Sequence, residues 1–251
     1  MSFSAIILAG TRPGGDPLAR AQGVAHKGLI PLGGEPMLTR IVAAVREAGA
    51  DSVAVSCDDP QVVALARSLG CEVTPPARGP SGSILAAAPM LPPPWVITTS
   101  DHALLRGEWV EELIAATPVS ASLSVMLARR QEVEAALPES RRTYLRMADG
   151  DWSGCNLFFL RDATALRAIE LWRQIEADRK RPWKIAARLG LRTLFDYARG
   201  RLGLEEALIR LGRPIGVVPA LVPASDGLAA VDVDTPDDLD DIRRLLGIEN
   251  A

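Results

Sequence analysis

Short apolar runs alternate with amphipathic segments in the first hundred residues of the chain. Apolar runs at residues 5–8, 52–56 and 95–99 have the length and composition of strands buried on both faces. Between them, residues 37–48 and 62–69 carry apolar side chains three or four positions apart, as amphipathic helices do. A short third strand is expected at residues 72–74, and an apolar helix at 84–90. This alternation predicts a parallel sheet with right-handed crossovers.

The second half of the chain departs from this regular alternation. Strands are expected at residues 120–127, 157–160 and 215–218, with a short extended piece at 143–147. Residues 162–212 show helical spacing that is interrupted at Gly190, Gly200 and Gly203. Because strand character returns after this helical insert, we expect one domain over residues 1–251.

A glycine-rich loop follows the first predicted strand. Residues 9–17 contain three glycines and two prolines, which favour neither a strand nor a helix. Ligands bind at the carboxyl edge of open α/β sheets, and glycine lets backbone amides approach an anion closely. Arg12 and Lys27 bracket the loop with two positive charges, which suits a polyphosphate. A plain surface loop explains the composition equally well, since neither a P-loop nor a clean G-x-G-x-x-G pattern is present.

Two further sites sit where predicted strands end. A second glycine-rich loop spans residues 78–83, where Ser81 or Ser83 suits a helix cap. Asp101 follows the strand at 95–99, and such a carboxylate suits Mg²⁺ bound together with phosphate oxygens. Capping of the next helix is the alternative for Asp101. Asn156 precedes the strand at 157–160, where hydrogen bonding to a substrate and holding a turn are equally good explanations.

The last helix begins in an acidic segment. Asp234 or Thr235 is expected as its N-cap, and Asp237 and Asp238 complement the helix dipole. Asp232 has no such explanation. A short strand is expected there, and alternation would turn Asp232 away from the core.

Composition narrows the functional classes. The 251 residues carry a net charge of −3 and only 4% aromatic residues, which argues against a general nucleic-acid surface. Three widely spaced cysteines suggest neither a disulfide framework nor a zinc site. No transmembrane helix or signal peptide is expected, so we expect a cytoplasmic protein. The basic cluster at residues 179–184 fits either an anionic acceptor or membrane surface, or a solvated helix end anchored by Trp183.

Taken together, these segments resemble the MobA-like nucleotidyltransferases, which share a GT-A-type Rossmann-like fold. The resemblance rests on the opening Ala-Ile-Ile-Leu-Ala-Gly with Arg12 and Lys27, the Gly-Pro-Ser-Gly-Ser loop, Asp101, and the Val-Asp-Val-Asp-Thr-Pro-Asp-Asp-Leu segment at 231–239. It implies a three-layer α/β fold with a mostly parallel sheet, helices on both faces and a helical insert near 162–212.

The resemblance also implies a function. The chain would transfer a nucleoside monophosphate from a triphosphate to a phosphorylated small molecule or lipid head group, releasing pyrophosphate, with Mg²⁺ as cofactor. Lys27, Arg12 and Asp101 would be catalytic, and Asp101 and Asp232 would hold the metal. The nucleotide-binding residues it implies are Leu8, Ala9, Gly10, Thr11, Arg12, Gly14, Lys27, Gly79, Ser81, Gly82 and Ser83. Asn156 would lie towards the acceptor.

Two departures from the family pattern stand out. Thr11 and Arg12 replace the early second glycine, so the phosphate loop must differ in geometry. The helical insert has no counterpart in the small molybdenum-cofactor guanylyltransferases. A homodimer is one use for this insert, and no nucleic-acid partner is expected. The alternatives are a GT-A-type glycosyltransferase using a nucleotide-sugar and a non-catalytic nucleotide-binding regulator. Neither the base nor the acceptor follows from the sequence.

Overall fold

A computed structural model describes residues 1–11, 14–140, 142–178 and 190–248 of the chain. Arg12 and the basic cluster at 179–184 therefore lie outside the described residues. The chain divides into two compact units, the first formed by Met1–Glu111 with Val231–Ala251 and the second by Glu112–Ala230.

The strands and helices alternate along most of the chain. The strands are β1 (Phe3–Leu8), β2 (Pro31–Leu32), β3 (Glu35–Pro36), β4 (Ala50–Ser56), β5 (Glu72–Thr74), β6 (Trp95–Thr99), β7 (Leu123–Arg129), β8 (Leu145–Met147), β9 (Gly150–Leu160) and β10 (Pro219–Pro223). The helices are α1 (Pro17–Ala21), α2 (Met37–Glu47), α3 (Pro60–Ser68), α4 (Gly79–Ala87), α5 (Gly107–Ala116), α6 (Arg130–Ala136), α7 (Leu166–Ala177), α8 (Leu191–Ala198), α9 (Leu204–Gly212) and α10 (Pro236–Leu245).

The first unit is built on a parallel sheet with strand order β5–β4–β1–β6. The chain moves outwards from β1 to β4 and β5, and then returns to the other side of β1 as β6. Right-handed crossovers therefore place α2 and α3 on one face of this sheet and α4 on the other. The strand order reverses between β1 and β6, and this switch point is where open α/β sheets bind ligands.

The core of the first unit follows the predicted pattern. Ala5, Ile6 and Ile7 of β1 are fully buried, as expected for a central strand covered on both faces. The apolar face of α2 is buried as well, with Met37, Leu38, Ile41, Val42 and Val45 almost inaccessible. The predicted α/β class with mostly parallel strands is confirmed.

The second unit contains a mixed group of strands. β10 pairs parallel to β7, and β9 pairs antiparallel to both β7 and β8. The pairing of β7 with β9 shifts register between Val125 and Leu127, opposite the stretch from Gly154 to Phe158. Asn156 lies in this bulge with a φ of 50°. Among the described residues of the predicted helical insert, α7, α8 and α9 are helices, and Gly190 and Gly203 are the N-caps of α8 and α9.

Three predicted elements were wrong. Helix α4 begins at Gly79, not at residue 84, because Pro80 suits a first turn and Ser83 binds back to the backbone of Ala77. The strand expected at 215–218 starts at Pro219, since residues 213–215 form a 3₁₀ turn that ends at left-handed Gly216.

The strand expected around Asp232 does not form. Residues 227–230 are a 3₁₀ turn, and no strand is found between there and α10. The backbone of Val233 instead donates its N–H to the Asp101 carbonyl at 3.0 Å and accepts a hydrogen bond from Lys27. The backbone N–H and carbonyl groups of Val233 therefore bind Asp101 and Lys27, two residues of the site described next.

Candidate active site

The Lys27 ammonium group is the centre of a buried polar cluster in the first unit. Its Nζ atom lies 2.8 Å from Asp101 Oδ2, 2.8 Å from Asp234 Oδ1 and 2.8 Å from the carbonyl oxygen of Val233. Three oxygens thus satisfy the three N–H donors of one ammonium. The Lys27 side chain is 10% exposed and that of Asp101 20%, whereas Asp234 remains 52% exposed. The cluster therefore opens to solvent on the Asp234 side.

The charges of Lys27 and Asp101 stabilise each other. Burial by itself lowers the pKa of Lys27, but the charge of Asp101 and hydrogen bonds to Asp101 and Asp234 outweigh burial and raise that pKa. Burial likewise opposes ionisation of Asp101, yet the charge and hydrogen bond of Lys27 hold its pKa below the ordinary value. Both groups are therefore charged at neutral pH.

A tight turn positions Lys27. Residues Lys27–Leu29 form a 3₁₀ turn whose N-cap is His26, and the His26 Nδ1 atom accepts a hydrogen bond from the Gly28 amide at 2.9 Å. A Cβ atom at Gly28 would lie 3.2 Å from His26 Nδ1 and 3.5 Å from the Ser100 side chain. This close approach brings the turn against the end of β6, where Asp101 follows.

Asp234 is held by the start of α10. Thr235 is the N-cap, and its hydroxyl and the Asp238 carboxylate form a reciprocal capping box. Asp238 Oδ2 also accepts the Asp234 amide at 3.1 Å, so the Asp234 carboxylate is not needed as a cap and binds Lys27 instead. The expectation that capping explains Asp234 completely was therefore wrong.

The first glycine-rich loop follows β1 at the switch point. The Ser100 amide donates to the Leu8 carbonyl and the Ala9 amide to the Ser56 carbonyl, both at 2.9 Å, which joins the ends of three strands. Gly10 and Thr11 are exposed, and Gly14 has a φ of 91° that favours glycine. The loop ends where the Asp16 carboxylate accepts the Leu18 and Ala19 amides and caps α1.

The second glycine-rich segment is the first turn of α4. Gly79 is exposed, whereas Ser81, Gly82 and Ser83 are buried. The Ser83 hydroxyl accepts the Ala77 amide at 3.0 Å, which is a structural role. The Ser81 hydroxyl is buried without a hydrogen-bond partner among the described residues. Gly82 packs tightly, because a Cβ atom there would lie 3.3 Å from that of Ala77.

Asn156 and Asp232 are the remaining predicted site residues. Asn156 belongs to the second unit, where its positive φ marks the bulge in β9. Such backbone conformations often occur at binding sites. Asp232 is 7% exposed and lies two residues before Asp234 in the chain.

Sequence reasoning missed Asp234 and His26. Asp234 directly precedes Thr235, a predicted N-cap, and His26 directly precedes Lys27, a predicted phosphate contact. The signal for Asp234 is the second carboxylate of the Asp-Val-Asp segment, but its place at a predicted helix start makes it an N-cap candidate beside Thr235. His26 gave no signal beyond its position before Lys27.

Comparisons with known proteins show the family of the chain. The model of the MobA-like NTP transferase domain matches residues 5–198. A 3-deoxy-manno-octulosonate cytidylyltransferase of Anaeromyxobacter dehalogenans (strain 2CP-1 / ATCC BAA-258) is 30% identical over 226 residues, covering 88% of this chain and 90% of its own length.

Solved structures show the same fold. A hypothetical transferase from Thermus thermophilus superimposes with a TM-score of 0.82 at 30% identity, covering 95% of this chain and 100% of its own. A CMP:2-keto-3-deoxy-manno-octonic acid synthetase complexed with CTP superimposes with a TM-score of 0.59 at 16% identity, covering 98% and 99% of the two chains.

The fold, the lysine–aspartate cluster at the switch point and these relatives define a nucleotidyltransferase of Rossmann-like fold. More narrowly, the chain belongs to the MobA-like NTP transferase family. Over the described residues, none of the helices is both long and apolar enough to span a bilayer.

Proposed function

We propose that this enzyme transfers a nucleoside monophosphate, with CTP as the donor, to a phosphorylated small-molecule or lipid head-group acceptor and releases pyrophosphate. The observation that carries the proposal is the buried Lys27 ammonium, which lies among Asp101, Asp234 and the Val233 carbonyl where the strand order reverses. The choice of CTP is supported by the cytidylyltransferase relative. The family model spans residues of both units, which supports one nucleotidyltransferase domain. We place this domain in the cytoplasm, as the sequence predicts.

The carboxylates of this cluster fit a divalent cation. Asp101 Oδ1 is buried and forms no hydrogen bond of good geometry with the described residues, so a lone pair is available inside the site. Asp101 and Asp234 offer hard oxygen ligands, which Mg²⁺ prefers. The described residues contain no group of three or more acidic, histidine or cysteine side chains able to hold a metal. Two carboxylates suffice when phosphate oxygens and water complete the coordination.

Each group of the chain then has a task in the reaction. Bound Mg²⁺ would neutralise phosphate charge. When the nucleotide binds, the Lys27 ammonium exchanges one of its three oxygen partners for a phosphate oxygen. Lys27 and Arg12, which belongs to the first glycine-rich loop, then stabilise the charge that develops on the departing pyrophosphate. The exposed amides around Gly10 and Gly14 hold the triphosphate in line for attack. The acceptor phosphate is already ionised, so no general base is needed.

Two further segments of the chain are assigned to the base and to the acceptor. The first turn of α4, with the Ser81 hydroxyl lacking a partner among the described residues, lies beside the base and ribose. Asn156 contacts the acceptor from the bulge in β9. A sugar-acid acceptor is the main competitor to a phosphorylated one, because the curated relative is named for 3-deoxy-manno-octulosonate.

Pyrophosphate release tests the proposal. The enzyme is incubated with each of the four ribonucleoside triphosphates, with and without Mg²⁺, against panels of sugar phosphates, polyol phosphates and 3-deoxy-manno-octulosonate. Pyrophosphate formed from CTP only when Mg²⁺ and a phosphorylated acceptor are present supports the proposal. Turnover with the sugar acid alone contradicts the acceptor assignment, and turnover of a nucleotide-sugar without pyrophosphate contradicts the reaction.

Two variants identify the metal ligands. Asp232→Asn tests the ligand that the sequence predicts, and Asp234→Asn tests the carboxylate on Lys27. The variant that raises the Mg²⁺ concentration needed for half-maximal rate marks the second ligand beside Asp101. Asp240→Asn is the matched control, because Asp240 is 54% exposed on α10 and pairs with Arg243 alone among the residues that the structure describes.

A further inference from the structure

A strongly basic segment stands out against the acidic background of the chain. Residues 179–201 contain eight lysines and arginines and one aspartate, a net charge of +7, whereas the whole chain carries −3. The rest of the sequence therefore sums to −10. The same 23 residues hold ten apolar side chains, three of them aromatic in a chain with only 4% aromatic residues. Basic, aromatic and aliphatic residues are thus combined in one short segment.

Helix α8 shows how the described end of this segment meets solvent. Phe195 is 53% exposed and Tyr197 51% exposed, which is unusual for side chains of this size. Arg192 and Arg199 are exposed too, three and four positions from Phe195, and so lie on its side of the helix. The Arg199 guanidinium group lies 3.9 Å from the centre of the Phe195 ring. Charged and aromatic groups therefore share one exposed surface.

The positive charge of this surface is not cancelled locally. Asp196 is the one acidic residue of the segment, and its carboxylate binds Arg210 of α9 at 2.7 Å. Arg192, Arg199 and Arg201 form no ion pair with any carboxylate in the described ranges. An anionic partner would therefore find these guanidinium groups available.

We propose that α8 docks on an anionic lipid bilayer through the exposed face formed by Arg192, Phe195 and Arg199. Aromatic side chains favour the level of the lipid head groups, and arginines extend towards the phosphates. Each basic residue near such a surface adds attraction that salt weakens. The aliphatic residues among the basic ones favour a bilayer over a nucleic acid, which bare charge would also attract. This contact lies at the surface of the bilayer and does not cross it.

Vesicle co-sedimentation tests the docking surface. The full chain is mixed with vesicles of phosphatidylglycerol and phosphatidylcholine, and separately with pure phosphatidylcholine, at about 0.1 M salt, where charges within about 10 Å still interact. Binding to the anionic vesicles only is expected. The pair Arg192→Glu and Arg199→Glu is expected to weaken it at least ~10-fold, since each charge matters by about that order. Phe195→Ala is expected to weaken it as well, whereas Tyr197→Ala, on the opposite side of α8, is expected to leave it unchanged.

Matched variants separate this surface from general effects. Arg67→Glu with Arg244→Glu reverses two exposed charges elsewhere, and Val119→Ala truncates a side chain that is 91% exposed. Both controls should bind as the wild type does. Absence of binding to anionic vesicles, or binding unchanged both by the arginine pair and by Phe195→Ala, overturns the proposal. Loss with the arginine pair alone, together with equal binding to duplex DNA, also overturns it, because that result describes a polyanion site.

Discussion

Three oxygens around one ammonium make Lys27 the residue on which the site depends. Removing the amine leaves the carboxylates of Asp101 and Asp234 facing each other without a cation and removes the charge that binds the phosphates. Lys27→Met is therefore expected to lower turnover about 100-fold, the usual effect of losing one stabilising donor. Pyrophosphate release measures the loss, and circular dichroism checks that the variant is folded. Turnover within twofold of the wild type would remove Lys27 from the mechanism.

The carboxylate of Asp101 gives a second prediction of the same kind. Asp101→Asn keeps the shape of the side chain but removes its charge, so the bond to Lys27 weakens and a hard metal ligand is lost. We expect a similar fall in turnover that extra Mg²⁺ partly restores. Asp240→Asn is a suitable control, since Asp240 is 54% exposed on α10 and its partner within the described ranges is Arg243. Equal losses in both variants would contradict a specific role for Asp101.

His26 makes stability depend on pH. Burial, assisted by the charge of Lys27, lowers the pKa of His26 below its ordinary value, although Asp59, Asp101 and Asp16 act in the opposite direction. The unfolded chain takes up a proton near pH 6.5, before the folded imidazole does. The free energy of unfolding should therefore fall as the pH drops below about 6.5, by at most about 1.4 kcal/mol per pH unit from this group.

His26→Asn isolates that contribution. Asparagine can still accept the Gly28 amide as an N-cap but does not titrate. Urea unfolding at pH 7.5, 6.5 and 5.5 should show the wild type losing stability relative to the variant as the pH falls. A constant difference between the two proteins across this range would mean that His26 does not carry the effect.

At the scale of elements, the start of α10 joins stability to function. The capping box between Thr235 and Asp238 caps the first turn of the helix, and Asp238 also holds the backbone of Asp234 in place. Thr235→Ala is expected to cost about 1 kcal/mol in urea unfolding, and Thr235→Ser close to nothing. Because Asp234 loses its fixed position, the alanine variant should also lose about tenfold in turnover. An alanine variant as active and stable as the serine variant would contradict this role.

Gly227 and Gly154 of the second unit differ in the space that is available for a side chain. A Cβ atom at Gly227 would overlap the backbone of Glu132 in α6, whereas one at Gly154 would meet nothing within 4 Å. Gly227→Ala is therefore expected to lower the free energy of unfolding by about 1–3 kcal/mol, and Gly154→Ala by less than about 0.5 kcal/mol. Urea unfolding of the two variants compares them directly, and equal effects would contradict the packing of the 227–230 turn on α6.

At the scale of the whole molecule, the hydrophobic pattern predicted most strands and helices, and its errors fall in both units: the start of α4 and the strand around Asp232 in the first, the strand at 215–218 in the second. Strands β5 and β6 were predicted with their observed bounds. Apolar residues recur with a different period in a strand than in a neighbouring helix, so the pattern separates the two. The strands expected at 215–218 and around Asp232 failed, since tight turns and hydrogen bonds to Lys27 and Asp101 overrode local propensity there. Contacts between residues that are far apart in the sequence cannot be predicted from a local hydrophobic pattern.

The candidate site was predictable to a similar degree. Lys27 and Asp101 could be picked out because each stands beside a glycine-rich loop or at the end of a core strand. Their contact, across 74 residues of sequence, required the fold. Asp234 was misassigned because its neighbour Thr235 has the same capping ability, and only the structure shows which of the two caps α10.

The most direct test of the central claim is a thermal shift with CTP, GTP, ATP and UTP, each with and without Mg²⁺, in the wild type and in Asp101→Asn. A ligand at 100 times its Kd stabilises the native state by about 2.7 kcal/mol, which is a clear rise in Tm. The account predicts a rise with CTP that depends on Mg²⁺ and that Asp101→Asn removes. No shift with any triphosphate would contradict it, because the site around Lys27 would then not bind the donor.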